Sequence, residues 1–208
     1  MTNNLFKRVS SIFLLAPLFI LCIYKGGIIF NLLLFLLCLI FFFEISKLNL
    51  VYTKLILILI FFLFLYSFYN IRNRDNGLEI VFLCTFITWL SDIGGYVSGK
   101  LIGGKKINFI SPNKTISGYC GSVIFVQLNL IYIKYFKLNI FENIYMSIFY
   151  LLICTLVVVL GDLLFSYIKR LNKIKDYSNL IPGHGGLLDR IDGFIFLVIF
   201  FNIMYYYI

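Results

Sequence analysis

Seven apolar runs, each near the length that crosses a bilayer, constrain this 208-residue chain more than any other feature. They cover residues 9–24, 27–43, 54–69, 78–97, 118–136, 144–167 and 191–207. A spanning helix needs ~20 mostly apolar residues, and lipid leaves backbone polar groups no partner outside the helix itself. With 62% hydrophobic and 13% charged residues, the expected fold is all-α. It is a polytopic integral membrane protein of about seven transmembrane helices. The first two runs are short and joined tightly at Lys25-Gly26-Gly27; they are read as a hairpin of spans rather than a re-entrant pair. Lys7 and Arg8 before an apolar run imitate a secretory leader, but no small-x-small cleavage site follows, so the first run is read as a retained span.

The formal charge of +9 raises nucleic-acid binding, and its distribution argues against it. With the N-terminus in the cytoplasm, 13 of the 18 Lys and Arg fall on the cytoplasmic side and five on the other. That asymmetry follows the positive-inside rule. It brings the two most charged loops, 98–117 and 168–190, to one cytoplasmic face. The five cysteines (Cys22, Cys38, Cys84, Cys120 and Cys154) are dispersed through apolar runs without a CxxC, and are read as free thiols packed as small apolar residues.

Chemistry is concentrated in the second part of the chain. Residues 1–77 are Leu, Ile and Phe with short polar joints, and are read as an N-terminal transmembrane scaffold; 78–208 are read as the catalytic transmembrane domain. From Trp89 to Gly118 the chain turns glycine-rich and polar. Asp92 lies inside an apolar run, where an unpaired charge costs ~2.5–3.5 kcal/mol on insertion scales, so it faces the interior, a cavity or a cation. Gly94 to Lys100 nearly spells a phosphate-binding P-loop. Leu101 stands where Ser or Thr is needed and no strand precedes it, so that reading is rejected. What remains is a basic, glycine-rich loop with Lys100, Asn113, Lys114 and Thr115, suited to a polyphosphate.

The segment from Ser166 to Asp192 holds five of the 18 Lys and Arg, three of the nine Asp and Glu, and the single His. Asp162 precedes it, with Ser166 and Lys169/Arg170 on the same helix face at i+4 and i+7/i+8. Asp189 and Asp192 stand i, i+3 at the start of the last run. Three carboxylates from two helices near phosphate-binding cations suit Mg²⁺, which takes few protein oxygens and completes its shell with substrate phosphate. They equally suit pairing with Arg170, Lys175 and Arg190 to solvate helix ends, and residue types alone leave both readings open. His184, flanked by Gly183, Gly185 and Gly186, is read as contacting a phosphate or a base, with glycine N–H groups and a helix N-terminus beside it. Basic, glycine-rich loops and carboxylates at a membrane surface fit phosphoryl or nucleotidyl transfer between a phosphorylated lipid and a soluble, Mg²⁺-bound phosphate donor.

The same segment resembles the signature of phosphatidate cytidylyltransferases (CDP-diacylglycerol synthases). The residues that carry the resemblance are Ser166, Lys169, Arg170, Lys175, Asp176, Ser178, Pro182, His184, Gly185, Gly186, Asp189, Arg190 and Asp192. Upstream, Asp92, Gly94, Tyr96, Gly99, Lys100, Ser111-Pro112, Lys114-Thr115, Gly118 and Gly161-Asp162-Leu163 also resemble the family, so the likeness covers roughly 85–195. Two positions depart: Phe165 stands where the family usually has Glu, and Ser117 where it commonly has Glu or Gln. The chain is also shorter than most members.

The resemblance implies the reaction of CTP with phosphatidic acid to give CDP-diacylglycerol and pyrophosphate. It implies metal ligation by Asp162, Asp189 and Asp192. Lys169, Arg170, Lys175, Asp176 and Arg190 become the catalytic set. Asp92, Lys100, Lys114, Thr115, Ser166, His184, Gly185 and Gly186 become substrate contacts. Mg²⁺ is the implied cofactor, with room for a monovalent cation such as K⁺. The implied setting is the plasma (inner) membrane with the site facing the cytoplasm, membrane lipids as partners, and a homodimer compatible with it. Other readings are a CTP-dependent enzyme acting on another lipid, such as a polyprenol kinase, and a transporter with a mid-membrane site. The charged surface loop disfavours the transporter. The Asp-Gly…Ala-Arg…Asp…Asp pattern of CDP-alcohol phosphotransferases is absent.

Overall fold

The computed structural model describes residues 15–106, 114–138, 143–181 and 185–204. Regular structure among them is helical: α1 (Leu15–Lys25), α2 (Gly27–Ser46), α3 (Val51–Arg72), α4 (Gly77–Leu101), α5 (Ile116–Val126), α6 (Asn129–Tyr135), α7 (Ile144–Leu171) and α8 (Leu188–Met204). Extended pairing among the described residues is limited to two isolated bridges, Lys106 with Thr115 and Ile181 with Gly185. Among the described residues, five segments are long and apolar enough to cross a membrane: α2, α3, α4, the α5–α6 pair taken together (Ile116–Tyr135), and α7. The first run expected from sequence begins outside the described residues, and its described part, α1, is a shorter apolar helix. The last run corresponds to α8, of 17 residues, and its final residues also lie outside. Large apolar side chains such as Phe35, Leu59, Ile124 and Leu160 are exposed on these helices, as a lipid-facing surface requires.

The chain folds into two compact units. One comprises Met1–Tyr66 and Ile168–Ile191, the other Ser67–Tyr167 and Asp192–Ile208.

In the first unit α2 and α3 form an antiparallel hairpin held by aromatic packing. Phe41 and Phe61 are both buried and stack with ring centroids 3.7 Å apart. The hairpin turn is fixed by Asn172, which follows the end of α7. Its Oδ1 accepts the Asn49 and Leu50 N–H groups at 3.1 and 3.0 Å, satisfying donors at the start of α3. Its Nδ2 donates to Thr53 Oγ1 and Ile168 O, each at 3.0 Å.

In the second unit the helix expected over 78–97 extends to Leu101, so Gly99, expected in the 98–117 loop, is helical. Gly94, Gly95 and Gly99 lie in the C-terminal half of α4, which runs on to Leu101. Their use is close packing against α5. A Cβ on Gly94 would stand 2.6 Å from the Gly121 carbonyl oxygen, and one on Gly118 would stand 2.9 Å from that of Gly95. Across the same contact Ser122 Oγ donates to Ser91 O at 2.7 Å. Small residues let helix backbones approach in a membrane, where water gives no drive to pack apolar side chains. Helical geometry through Gly94–Lys100 also agrees with rejecting a P-loop.

Candidate active site

The second unit contains a cavity of about 370 Å³, within the range of small-molecule sites (roughly 300–1,000 Å³). Helical periodicity explains its walls. From α4 come Thr88, Ser91, Asp92, Gly95, Tyr96, Gly99 and Lys100; the start of α5 gives Lys114, Thr115, Gly118, Tyr119 and Ser122. Val158, Val159 and Asp162 of α7 and Asp192 and Gly193 of α8 complete it. The sequence candidates Asp92, Lys100, Lys114, Thr115, Asp162 and Asp192 thus share one cavity.

Lys114 forms an ion pair with Asp162. Its Nζ also lies 5.9 Å from the centre of the Tyr119 ring, within cation–π reach. Lys100, in the last turn of α4, similarly lies 5.7 Å from the Tyr96 ring. Thr115 is the N-cap of α5, its hydroxyl accepting the Gly118 N–H at 3.1 Å, so the positive end of that helix dipole adjoins the lysine. The Tyr119 hydroxyl is buried without a hydrogen-bond partner among the described residues. Asp192 Oδ1 accepts the Gly193 N–H at 2.8 Å.

The two departures from the family pattern are occupied by packing and by loop structure. Phe165 is 1% exposed and meets Phe196 edge to face, with centroids 6.2 Å apart. Ser117 donates to the Gly103 carbonyl and shares a 2.9 Å hydrogen bond with Thr115. Ser166 is buried and is not among the cavity's lining residues.

The first unit holds the rest of the described candidate residues, at the end of α7, in the loop that follows it and in the first turn of α8. Lys169 Nζ donates to Asp189 Oδ1 at 2.5 Å, with the two side chains 11% and 4% exposed, and stands 5.6 Å from the Tyr177 ring centre. Asp189 Oδ2 accepts the N–H groups of Tyr177 and Gly186, each at 3.0 Å. Gly185, at φ +88°, exchanges backbone hydrogen bonds with Ile181. The N–H groups of both glycines are therefore engaged within the protein. Arg170, Lys175, Asp176 and Arg190 are exposed, and Arg170 makes a long contact of 3.4 Å to Ile174 O. His184 lies outside the described residues.

One buried acid escaped the sequence reading. Glu44, at the end of α2 and fully buried, accepts hydrogen bonds from Ser178 Oγ and from the Leu187 and Leu188 N–H groups, at 2.6, 2.7 and 2.9 Å. Its only sequence signal was an acid directly after the 27–43 apolar run, a weaker form of the feature that did single out Asp92.

An apolar helical protein with five candidate spans among the described residues, and a polar cavity lined by three carboxylates and two lysines, is of the multi-pass membrane class, in which ionisable residues at membrane depth mark a functional site. The chain belongs to the cytidylyltransferase family, whose model matches residues 46–208. Phosphatidate cytidylyltransferase of Staphylococcus epidermidis is 37% identical over 142 residues, 65% of this chain and 52% of that protein. The Staphylococcus aureus enzyme of the same name is 38% identical over 147 residues, 69% and 53% of the two chains. That of Staphylococcus haemolyticus is 37% identical over 140 residues. The chain spans about half the length of the curated relatives it matches.

Proposed function

We propose that this protein is a phosphatidate cytidylyltransferase, joining CTP and phosphatidic acid into CDP-diacylglycerol with release of pyrophosphate. The observation that carries this reading is the cavity in which Asp92, Asp162 and Asp192 occur with Lys100 and Lys114, in a chain of this family. A phosphate oxygen of phosphatidic acid attacks the α-phosphorus of CTP, and the bond to the β-phosphate oxygen breaks. The attacking oxygen is already anionic, so positioning and charge neutralisation are the protein's main tasks.

The donor set fits Mg²⁺: hard carboxylate oxygens, with phosphate and water left to fill the shell. Among the described residues no group of three His, Cys, Asp or Glu side chains is placed to hold a metal ion, so phosphate and water would have to supply the remaining ligands. When bound, Mg²⁺ neutralises the triphosphate and the leaving pyrophosphate. Asp162 and Asp192 are its proposed ligands, and a monovalent cation such as K⁺ remains part of the proposal. Lys100 and Lys114 bind phosphate, with Thr115 and the dipole of α5. The unpartnered Tyr119 hydroxyl provides a polar contact for substrate. Asp189 is kept as a third carboxylate whose role includes organising the α7–α8 loop. Lys169, Arg170, Lys175, Asp176 and Arg190 are assigned to charge neutralisation, and His184 with Gly185 and Gly186 to the nucleotide.

The topology belongs to the same proposal: about seven spans, the charged loops in the cytoplasm, 1–77 mainly scaffold and 78–208 catalytic. The deciding experiment is an assay of the purified protein in detergent with radiolabelled CTP, phosphatidic acid and Mg²⁺. Label should move into the organic phase as CDP-diacylglycerol and fail to do so with EDTA. Absence of labelled lipid from a folded, monodisperse sample refutes the reading.

A further inference from the structure

The first turn of α8 is held by two carboxylates, and only one of them is local. Asp189, within that turn, takes the Tyr177 and Gly186 N–H groups. The next two donors along the chain, Leu187 and Leu188, go to Glu44, 143 and 144 residues away. The same carboxylate accepts the Ser178 hydroxyl at 2.6 Å. Glu44 therefore grips the loop at both ends: at Ser178, just after Lys175 and Asp176, and at Leu187–Leu188, just before Asp189 and Arg190. Gly186 makes room for it, since a Cβ there would stand 2.7 Å from Glu44 Oε1.

A fully buried carboxylate is costly unless donors surround it. Among the described residues it has three, two of them at a helix N-terminus where the dipole favours negative charge. An apolar side chain could fill the same space without that desolvation. What it could not do is set the direction of two backbone N–H groups and one hydroxyl at once. We propose that Glu44 is a positioning residue for nucleotidyl transfer: it ties Ser178 to Leu187 and Leu188 so that Asp189, Lys169 and Arg190 keep one geometry. The inference rests on the function proposed above. It gives a specific task to the N-terminal part of the chain, which sequence treated as scaffold.

The test compares wild type with Glu44→Gln by two independent measurements on the full-length protein in detergent. Gln keeps the size but turns one acceptor oxygen into a donor that faces another donor. Hydrogen exchange of the backbone amides at 185–190 should speed up, while exchange in α4 and α5 stays unchanged. The kcat for CDP-diacylglycerol synthesis should fall about 10- to 100-fold, the size expected when reacting groups are displaced by about 1 Å. KM for CTP and for phosphatidic acid should change less than about threefold. A purely structural role predicts a lower thermal midpoint with kcat per folded molecule unchanged, and that result overturns the proposal. Unchanged exchange at 185–190 overturns it as well. Should Glu44→Gln not fold, Glu44→Asp, which withdraws the carboxylate by one methylene, is read in the same two ways; failure of both to fold makes Glu44 a folding residue and overturns the proposal. A wild-type protein that makes no CDP-diacylglycerol refutes the functional reading instead, and the exchange measurement still decides whether Glu44 holds the loop.

Discussion

Lys169 and Asp189 form an almost buried ion pair across the α7–α8 loop, with Nζ 2.5 Å from Oδ1. Asp189 is the better-connected partner, because its other oxygen accepts the N–H groups of Tyr177 and Gly186. Asp189→Ala leaves a buried cation and two amide donors without an acceptor, whereas Lys169→Met leaves a carboxylate that still holds two donors. Breaking a buried pair from one side costs about 3–5 kcal/mol. Asp189→Ala is expected at the upper end of that range and Lys169→Met below it. Thermal unfolding of the two variants in detergent checks the order.

Asp162 and Asp192 line the same cavity in the second unit. Asn substitution at either keeps shape and removes charge. Each is expected to lower Mg²⁺-dependent product formation by about 100-fold or more, the scale on which charge stabilisation at a reacting phosphate acts. The thermal midpoint should stay close to wild type, because both side chains are partly solvent-exposed. Retention of full Mg²⁺-dependent activity in both variants would remove them from the metal site.

Lys114 pairs with Asp162 and adjoins the N-terminus of α5. Lys114→Met should raise KM for CTP about tenfold, the loss of one charge-assisted contact to phosphate. Steady-state kinetics with CTP varied at saturating phosphatidic acid measure it. A change confined to KM for phosphatidic acid would assign Lys114 to the lipid phosphate.

The α4–α5 contact depends on the absence of side chains. With a Cβ on Gly94 only 2.6 Å from the Gly121 carbonyl oxygen, Gly94→Ala must push the helices apart, and overpacking of this kind costs about 1–3 kcal/mol. The midpoint should fall, and activity per folded molecule should fall with it, because Asp92 and Lys100 stand on the same helix. An unchanged midpoint would mean that the helices separate without cost.

Asn172 ties the α2–α3 turn to the end of α7 through two accepted and two donated hydrogen bonds. Asn172→Ala leaves the Asn49 and Leu50 N–H groups without that acceptor and is expected to cost about 1–3 kcal/mol. A midpoint equal to wild type would show that these amides find other partners.

Helices were legible because long apolar runs in lipid have few other ways to satisfy their backbone. The runs at 27–43, 54–69 and 144–167 correspond to α2, α3 and α7, each extended by a few residues at one or both ends. Asp92, Asp162 and Asp192 were legible because a charge within or beside such a run stands out against it. Gly99 fell in the expected 98–117 loop but is helical, and the use of Gly94 and Gly95 within the 78–97 run was not seen, since composition reports the absence of a side chain but not the neighbouring helix that requires it. Glu44 was missed for a related reason: its partners Ser178, Leu187 and Leu188 are more than 130 residues away.

The sequence by itself determined that this chain is helical, apolar and built around a small set of charged residues, because hydropathy and charge are local properties written in order along the chain. Only the tertiary structure decided which of those charges share a cavity, which hold a loop in place, and where two helices touch through their glycines. Those outcomes depend on distances between residues remote in sequence, set by how the helices pack.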